Sequence, residues 1–312
     1  MRHCARLSPT LSVMILGSAM IASAQTDSDI EKLNQIQLLG NRSLVAFRKQ
    51  VRDILTDREL VIENTIRYRV IARPWANARA FTTEGVRRIE IGAGMLLVYE
   101  AFSVALAAQK LGDSACGQAY IVKLVKDLAS VDYLVNSGQT PPRLIDVFEF
   151  ARRRQPLCRG VTFRAFADSE NLRSYQEAML GQSLGFIVAH ELGHHLYNVR
   201  NPDGDLALSR ENEKRADRLA LRFVSRNGVE GIFYSFPAIL HLAAMGGTAE
   251  EESLRTHPSG FRRALLTVEA MDSLYSNDLA FRESARLKGK SEQWEQFLQS
   301  FQDVLREALD EQ

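Results

Sequence analysis

The segment that most narrows what this chain can fold into spans residues 185–195, where His190, Glu191 and His194 follow an apolar run in the pattern His-Glu-x-x-His. Helical periodicity stacks residues four apart on one face, so the two imidazoles converge while Glu191 lies beside them. Such a pair can bind Zn²⁺, which lowers the pKa of a bound water to about 7. The adjacent carboxylate can then take a proton as that water attacks a peptide carbonyl, and pass it to the departing amine. The spacing therefore predicts a metal-binding helix with Glu191 as general base. His195 falls off the metal-binding face and is expected to be a packing or solvent residue.

A catalytic zinc site needs a third protein ligand and an open position. Glu213, with 18 residues between it and His194, is the candidate, in the run Glu213, Lys214, Arg215, Ala216, Asp217. Glu213 and Asp217 are one helical turn apart, so one carboxylate can meet the metal while the other hydrogen-bonds a ligand imidazole from behind. Glu211 is the alternative ligand, without a matching aspartate one turn on. Further along, His257 and Pro258 open a helical stretch that carries Arg262 and Arg263. A histidine there can close onto the metal or hydrogen-bond the oxyanion of a tetrahedral intermediate, and an arginine behind it can orient it or add positive charge. His241, amid Ile239, Leu240 and Leu242, is expected at the edge of the core.

Ahead of these motifs, residues 28–60 show helical apolar spacing and predict one or two amphipathic packing helices. Residues 68–71 and 87–91 alternate like strands, punctuated by Pro74, Asn77 and Gly85, and end in Gly92, Ala93 and Gly94. From Met95 onward the chain reads as helix, broken near Gly112, at 136–142, 159–160, 201–204, 227–228 and 246–247. The expected class is α+β, mostly helical.

The first residues have a different character. Arg2, His3 and Arg6 precede an apolar stretch from Leu11 to Ile21, followed by Ala22, Ser23 and Ala24, the small-x-small form of a secretory signal cleaved after Ala24. The apolar segment from Ile91 to Ala108 contains Glu100, and a charge at mid-span costs about 2.5–3.5 kcal/mol, so it is expected as a buried helix. No stable membrane span is then expected after signal cleavage, and the protein is placed in the periplasm or outside the cell. In that oxidising compartment Cys116 and Cys158, the two cysteines left once Cys4 departs with the signal, are expected to form a disulfide. The remaining chain, 25–312, is expected as one domain with a helical insertion at about 113–172 fastened at its base by that bridge. The 39 Lys and Arg balance 38 Asp and Glu, so no global charge favours nucleic acid.

Taken with their order, these motifs resemble the gluzincin zinc metallopeptidase family of the CAAX prenyl endopeptidases and periplasmic BepA. The resemblance lies in His190, Glu191 and His194, then Glu213, Ala216 and Asp217, then His257, Pro258 and Arg263. Residues 77–81, beginning Asn77 and Ala78, and residues 88–96 look similar to the strand segments that precede the zinc helix in that family. It implies a zincin-like core in which a small antiparallel sheet lies over the active-site helix, with an edge to which an extended polypeptide can add. It also implies Zn²⁺ held by His190, His194 and Glu213, and endopeptidase activity with Glu191, His257 and Arg263 as catalytic residues.

The expected function is a zinc-dependent endopeptidase of the cell envelope acting on polypeptide. The alternative is an envelope binding or chaperone-like protein with a latent or structural zinc site. Trp294, Phe297, Phe301 and Leu305, an apolar stripe near the C-terminus, lend themselves to that alternative, although such a stripe more often packs on its own domain.

Overall fold

The computed structural model describes residues 27–73, 76–111, 114–136, 145–198, 205–245, 260–278, 281–283 and 299. The signal-like segment, His257 and the stripe at 294–305 lie outside the described residues.

Two helices cover the expected amphipathic region. Helix α1 (Asp27–Val51) buries Leu33, Ile36, Leu44, Phe47 and Val51 at three- and four-residue spacings. Helix α2 (Asp57–Glu63) starts at a reciprocal cap: the Thr56 hydroxyl accepts from the Glu59 N–H, and the Glu59 carboxylate accepts from the Thr56 N–H at 2.7 Å.

Three strands follow, β1 (Arg67–Ile71), β2 (Ala78–Thr83) and β3 (Val86–Gly92), in the spatial order β1-β3-β2. The sheet is mixed, not the antiparallel sheet expected: β2 runs antiparallel to β3, with Ala80 opposite Ile89, while β1 runs parallel to it, with Val70 beside Ile91. The reason lies in the connections. Glu84 (φ 51°) and Gly85 (φ 74°) form a two-residue turn of left-handed residues that folds β3 back against β2. That hairpin occupies one flank of β3, so β1 pairs on the other, and two reversals of direction return β3 to the direction of β1. The crossing is tied down where Gly92 N–H donates to the Asn77 carbonyl at 2.9 Å and Gly94 N–H donates to the Arg73 carbonyl at 3.0 Å. On the far side, Asn41 Oδ1 accepts from Val70 N–H at 2.9 Å and Gln37 Nε2 donates to the Val70 carbonyl at 3.1 Å, so α1 covers the β1 edge.

Helix α3 (Ala93–Ala108) continues directly from β3 and is buried at nearly every position, as expected of the apolar segment carrying Glu100. Among the described residues no helix is long and apolar enough to cross a membrane. Helices α4 (Ser114–Asn136), α5 (Val147–Arg153) and α6 (Phe163–Ala167) follow, with α4 and α5 packed on α3. Cys116 and Cys158 are joined, Cα to Cα 4.9 Å, and Tyr120 Oη donates to the Ile145 carbonyl at 2.9 Å beside them. Helix α7 (Glu170–Tyr197) then runs through the middle of the fold, under β2 and against α3, α8 (Leu206–Ser225), α9 (Gly228–Tyr234) and α10 (Phe236–Ala244), and α11 (Gly260–Asn277) leans on α8 and α10.

Candidate metal centre

Helix α7 starts at Ser169, whose hydroxyl accepts from the Leu172 N–H. Its first half is only partly covered, whereas every residue from Ser183 to Gly193 is buried. The pattern puts His190 (4% exposed) and Glu191 (6%) deep in the molecule, with His194 one turn on at the rim. The two histidine rings meet edge to face with Nε2 atoms 3.0 Å apart, and ligand atoms of His190, Glu191 and His194 all lie within 4.8 Å of one another. This trio can hold a metal ion.

Helix α8 brings its carboxylates to the same point. Glu213 Oε2 is 3.4 Å from His190 Nε2 and Glu213 Oε1 is 3.4 Å from His194 Nε2. One turn later, Asp217 Oδ1 is 2.9 Å from His190 Nδ1. His194 Nδ1 lies 3.1 Å from Asn198 Oδ1, so each imidazole has an oxygen behind it and turns Nε2 toward Glu213. Arg263, from α11, packs against the cluster itself, with Nη2 2.8 Å from Asp217 Oδ1, 3.3 Å from Glu213 Oε2 and 3.4 Å from His190 Nε2. Glu211 faces elsewhere: it is partly exposed and pairs with Arg215 at 3.4 Å.

The approach of α7 to α8 depends on two small residues inside the motifs. A Cβ on Gly193 would lie 2.6 Å from Cα of Ala216, a backbone contact that cannot swing aside. Gly193 falls between Glu191 and His194, and Ala216 between Glu213 and Asp217, so the missing side chain sets the distance between the histidines and the glutamate. In the sequence Gly193 is an unspecified position of the His-Glu-x-x-His pattern, and its small size, with that of Ala216, is the available signal.

Electrostatically the centre is acidic. Glu191, Glu213 and Asp217 gather around His190 and the Arg263 guanidinium, so three carboxyl groups share one buried cluster with two basic side chains. Burial disfavours charge on His190, but hydrogen bonds to Asp217 and Glu213 outweigh it and lift its pKa to about 9. Burial, then the charge on His190, pushes His194 down to about 4. Burial raises the Glu191 carboxyl despite nearby His190 and Arg263, while Asp217, buried but beside Arg263 and His190, falls to about 2.

Above the helix, the Ala80 backbone N–H of β2 hydrogen-bonds the Glu191 carboxylate. His195 points away from the histidine cluster, as its position requires, but it is neither loose nor merely packed: its Nε2 donates to the Arg88 carbonyl of β3 at 2.9 Å, fastening α7 to the sheet. His241 is deeper than the core edge expected of it, 2% exposed and edge-on to the Tyr99 ring at 5.5 Å, with the Ala76 carbonyl as hydrogen-bond partner.

Comparison with protein-family models, curated proteins and solved structures found no match.

Proposed function

We propose that this protein is a zinc-dependent endopeptidase. The observation that carries the reading is the triangle formed by His190 Nε2, His194 Nε2 and the Glu213 carboxylate, with the nitrogens 3.0 Å apart, Oε2 3.4 Å from the first and Oε1 3.4 Å from the second. A tetrahedral zinc with bonds of about 2.0–2.1 Å to nitrogen and oxygen sets its ligands about 3.3 Å apart, so the triangle fits that ion. Two imidazoles and a carboxylate are also the donor set of zinc sites that keep an open position for chemistry. When bound, zinc acidifies water and polarises a carbonyl oxygen.

The chain's own residues supply the rest. Glu191 accepts a hydrogen bond from the Ala80 N–H, and burial raises its proton affinity, suiting it to hold a proton taken from water and return it to the leaving amine nitrogen. Asp217 fixes the His190 ring through Nδ1 and Arg263 fixes Asp217. The β2 strand lies over α7 with an edge suited to an extended polypeptide, whose backbone would pair with it irrespective of sequence. The signal-like N-terminus and the Cys116–Cys158 bridge support action in the cell envelope.

The test is elemental mass spectrometry on purified protein beside its Glu213→Ala variant, followed by cleavage of an unfolded polypeptide by wild type and Glu191→Gln. The expected result is about one zinc per chain, weakened by Glu213→Ala, with cleavage abolished in a Glu191→Gln protein that keeps its zinc. Folded protein without zinc that was never exposed to chelator would sink the proposal, and zinc without Glu191-dependent cleavage would favour a structural metal in a binding protein.

A further inference from the structure

The outer face of the sheet carries a charge pattern that the chemistry so far does not use. Register places Arg67, Arg88 and Phe81 in one row across β1, β3 and β2, and Arg69, Glu90 and Arg79 in the next. Glu90 is 1% exposed, buried between Arg69 and Arg79, which both pair with it while more than half of each side chain stays in solvent. Arg79 also lies over the Phe81 ring, 4.7 Å from its centroid. Arg67 and Arg88 stand side by side with no carboxylate partner among the described residues, and the Arg88 Nε is buried without a hydrogen bond. Four arginines around one glutamate, in a chain with a net charge of only +1, make this face locally cationic.

The face borders the strand next to the metal centre. Because Asn77 turns its carbonyl to β3, Ala78, Ala80 and Thr82 turn their backbone groups to the outer edge of β2, where the Ala80 N–H already meets Glu191, while Arg79 and Phe81 project from the outer face. A strand added at that edge sets alternate side chains about 4.5–5.5 Å from Arg79 and Phe81. Lysine or arginine there meets like charge, whereas a carboxylate meets Arg79 with Arg69 and Arg88 behind it.

We infer that this face selects acidic polypeptide segments, with Arg79 reading a carboxylate and Phe81 an apolar side chain two residues away on the substrate strand. The inference rests on the reading of β2 as the substrate-binding edge. A membrane bearing anionic lipids would meet the same charges, but the adjacent strand edge favours polypeptide.

The test is binding by fluorescence anisotropy of labelled peptides of about ten residues in which threonine alternates with, in turn, a test residue (glutamate, glutamine or lysine) and leucine, using Glu191→Gln protein loaded with zinc. The glutamate peptide is expected to bind about five- to tenfold tighter than the glutamine one, the size of one or two partly exposed ion pairs, and the lysine peptide more weakly than both. The gap should shrink in Arg79→Gln, which can still hydrogen-bond Glu90, and at about 0.5 M salt, where the Debye length is only about 4 Å. Absence of that gap, including no measurable binding of any peptide, overturns the inference, as does binding to anionic lipid vesicles without a peptide preference. Cleavage by wild type is scored separately: a gap without cleavage keeps the acidic-segment face and removes the peptidase, and cleavage without a gap does the reverse.

Discussion

Asp217 Oδ1 lies 2.9 Å from His190 Nδ1, and that contact decides which way the buried imidazole faces. With Nδ1 engaged, the ring directs Nε2 to the point shared with His194 and Glu213. Arg263 reaches the same aspartate oxygen at 2.8 Å, so the orienting carboxylate stays charged even in a buried setting. Replacing Asp217 by Asn keeps a weak acceptor but removes the charge, and outer partners of this kind are worth about 10- to 100-fold in metal affinity. Chelator competition on Asp217→Asn should show zinc bound at least about tenfold more weakly, with the fold intact by circular dichroism. Unchanged affinity would mean that the ring is held by something other than Asp217.

Gly193→Ala tests the close approach of the two ligand helices. The added methyl meets Ala216 Cα at 2.6 Å, so either α7 or α8 must move, and overpacking of this kind costs about 1–3 kcal/mol. The movement separates His190 and His194 from Glu213, so the variant should lose zinc affinity as well as stability. Denaturant melts in the presence and absence of zinc divide the two effects: loss of stability alone, with zinc binding untouched, would show that the helices can adjust without opening the triangle.

Local periodicity made the centre legible, and long-range contacts hid the rest. The spacing of His190 to His194, and of Glu213 to Asp217, puts each pair on one helix face whatever the remainder of the chain does, and the docking of α8 on α7 then brings the two pairs within 3.4 Å of each other. Strand alternation identified 68–71 and 87–91, but nothing local states whether β1 runs with or against β3; that follows from a turn at Glu84 and Gly85 and from which flank the hairpin leaves vacant. His195 illustrates the same limit, since its partner carbonyl at Arg88 is 107 residues away. The position of His241 against Tyr99 and Ala76 likewise depends on α10 docking on α3, which no window of sequence encodes.

The bridge between Cys116 and Cys158 closes a loop with a sequence separation of 42, for which chain entropy gives about 4 kcal/mol of stabilisation. Reduction, or paired Cys116→Ser and Cys158→Ser substitution, should lower the free energy of unfolding by up to that amount, read as an earlier urea midpoint. Because the described residues of α4 and α5 pack mainly on α3 and α10, zinc content should survive in the fraction that remains folded. Zinc lost in parallel with the bridge, before unfolding, would instead mean that α4 and α5 brace α7 directly.

His190 gives the metal-free protein and the zinc complex opposite responses to pH. Burial opposes its charge, yet hydrogen bonds to Asp217 and Glu213 raise its pKa to about 9 from the 6.5 of an ordinary imidazole. A group whose pKa is raised by folding contributes its full stabilisation below the unfolded value and loses it as pH climbs through the folded one. The His190 contribution to metal-free stability should therefore fall between pH 6.5 and about 9. Zinc must displace the same proton, so its apparent affinity should rise across that window, releasing protons as it binds. Urea midpoints of chelator-treated protein, compared with zinc affinity over the same pH series, give both slopes. His190→Gln should flatten the first while abolishing tight zinc binding; an affinity that stays level from pH 6.5 to 9 in the wild type would show that no proton leaves His190 when the metal arrives.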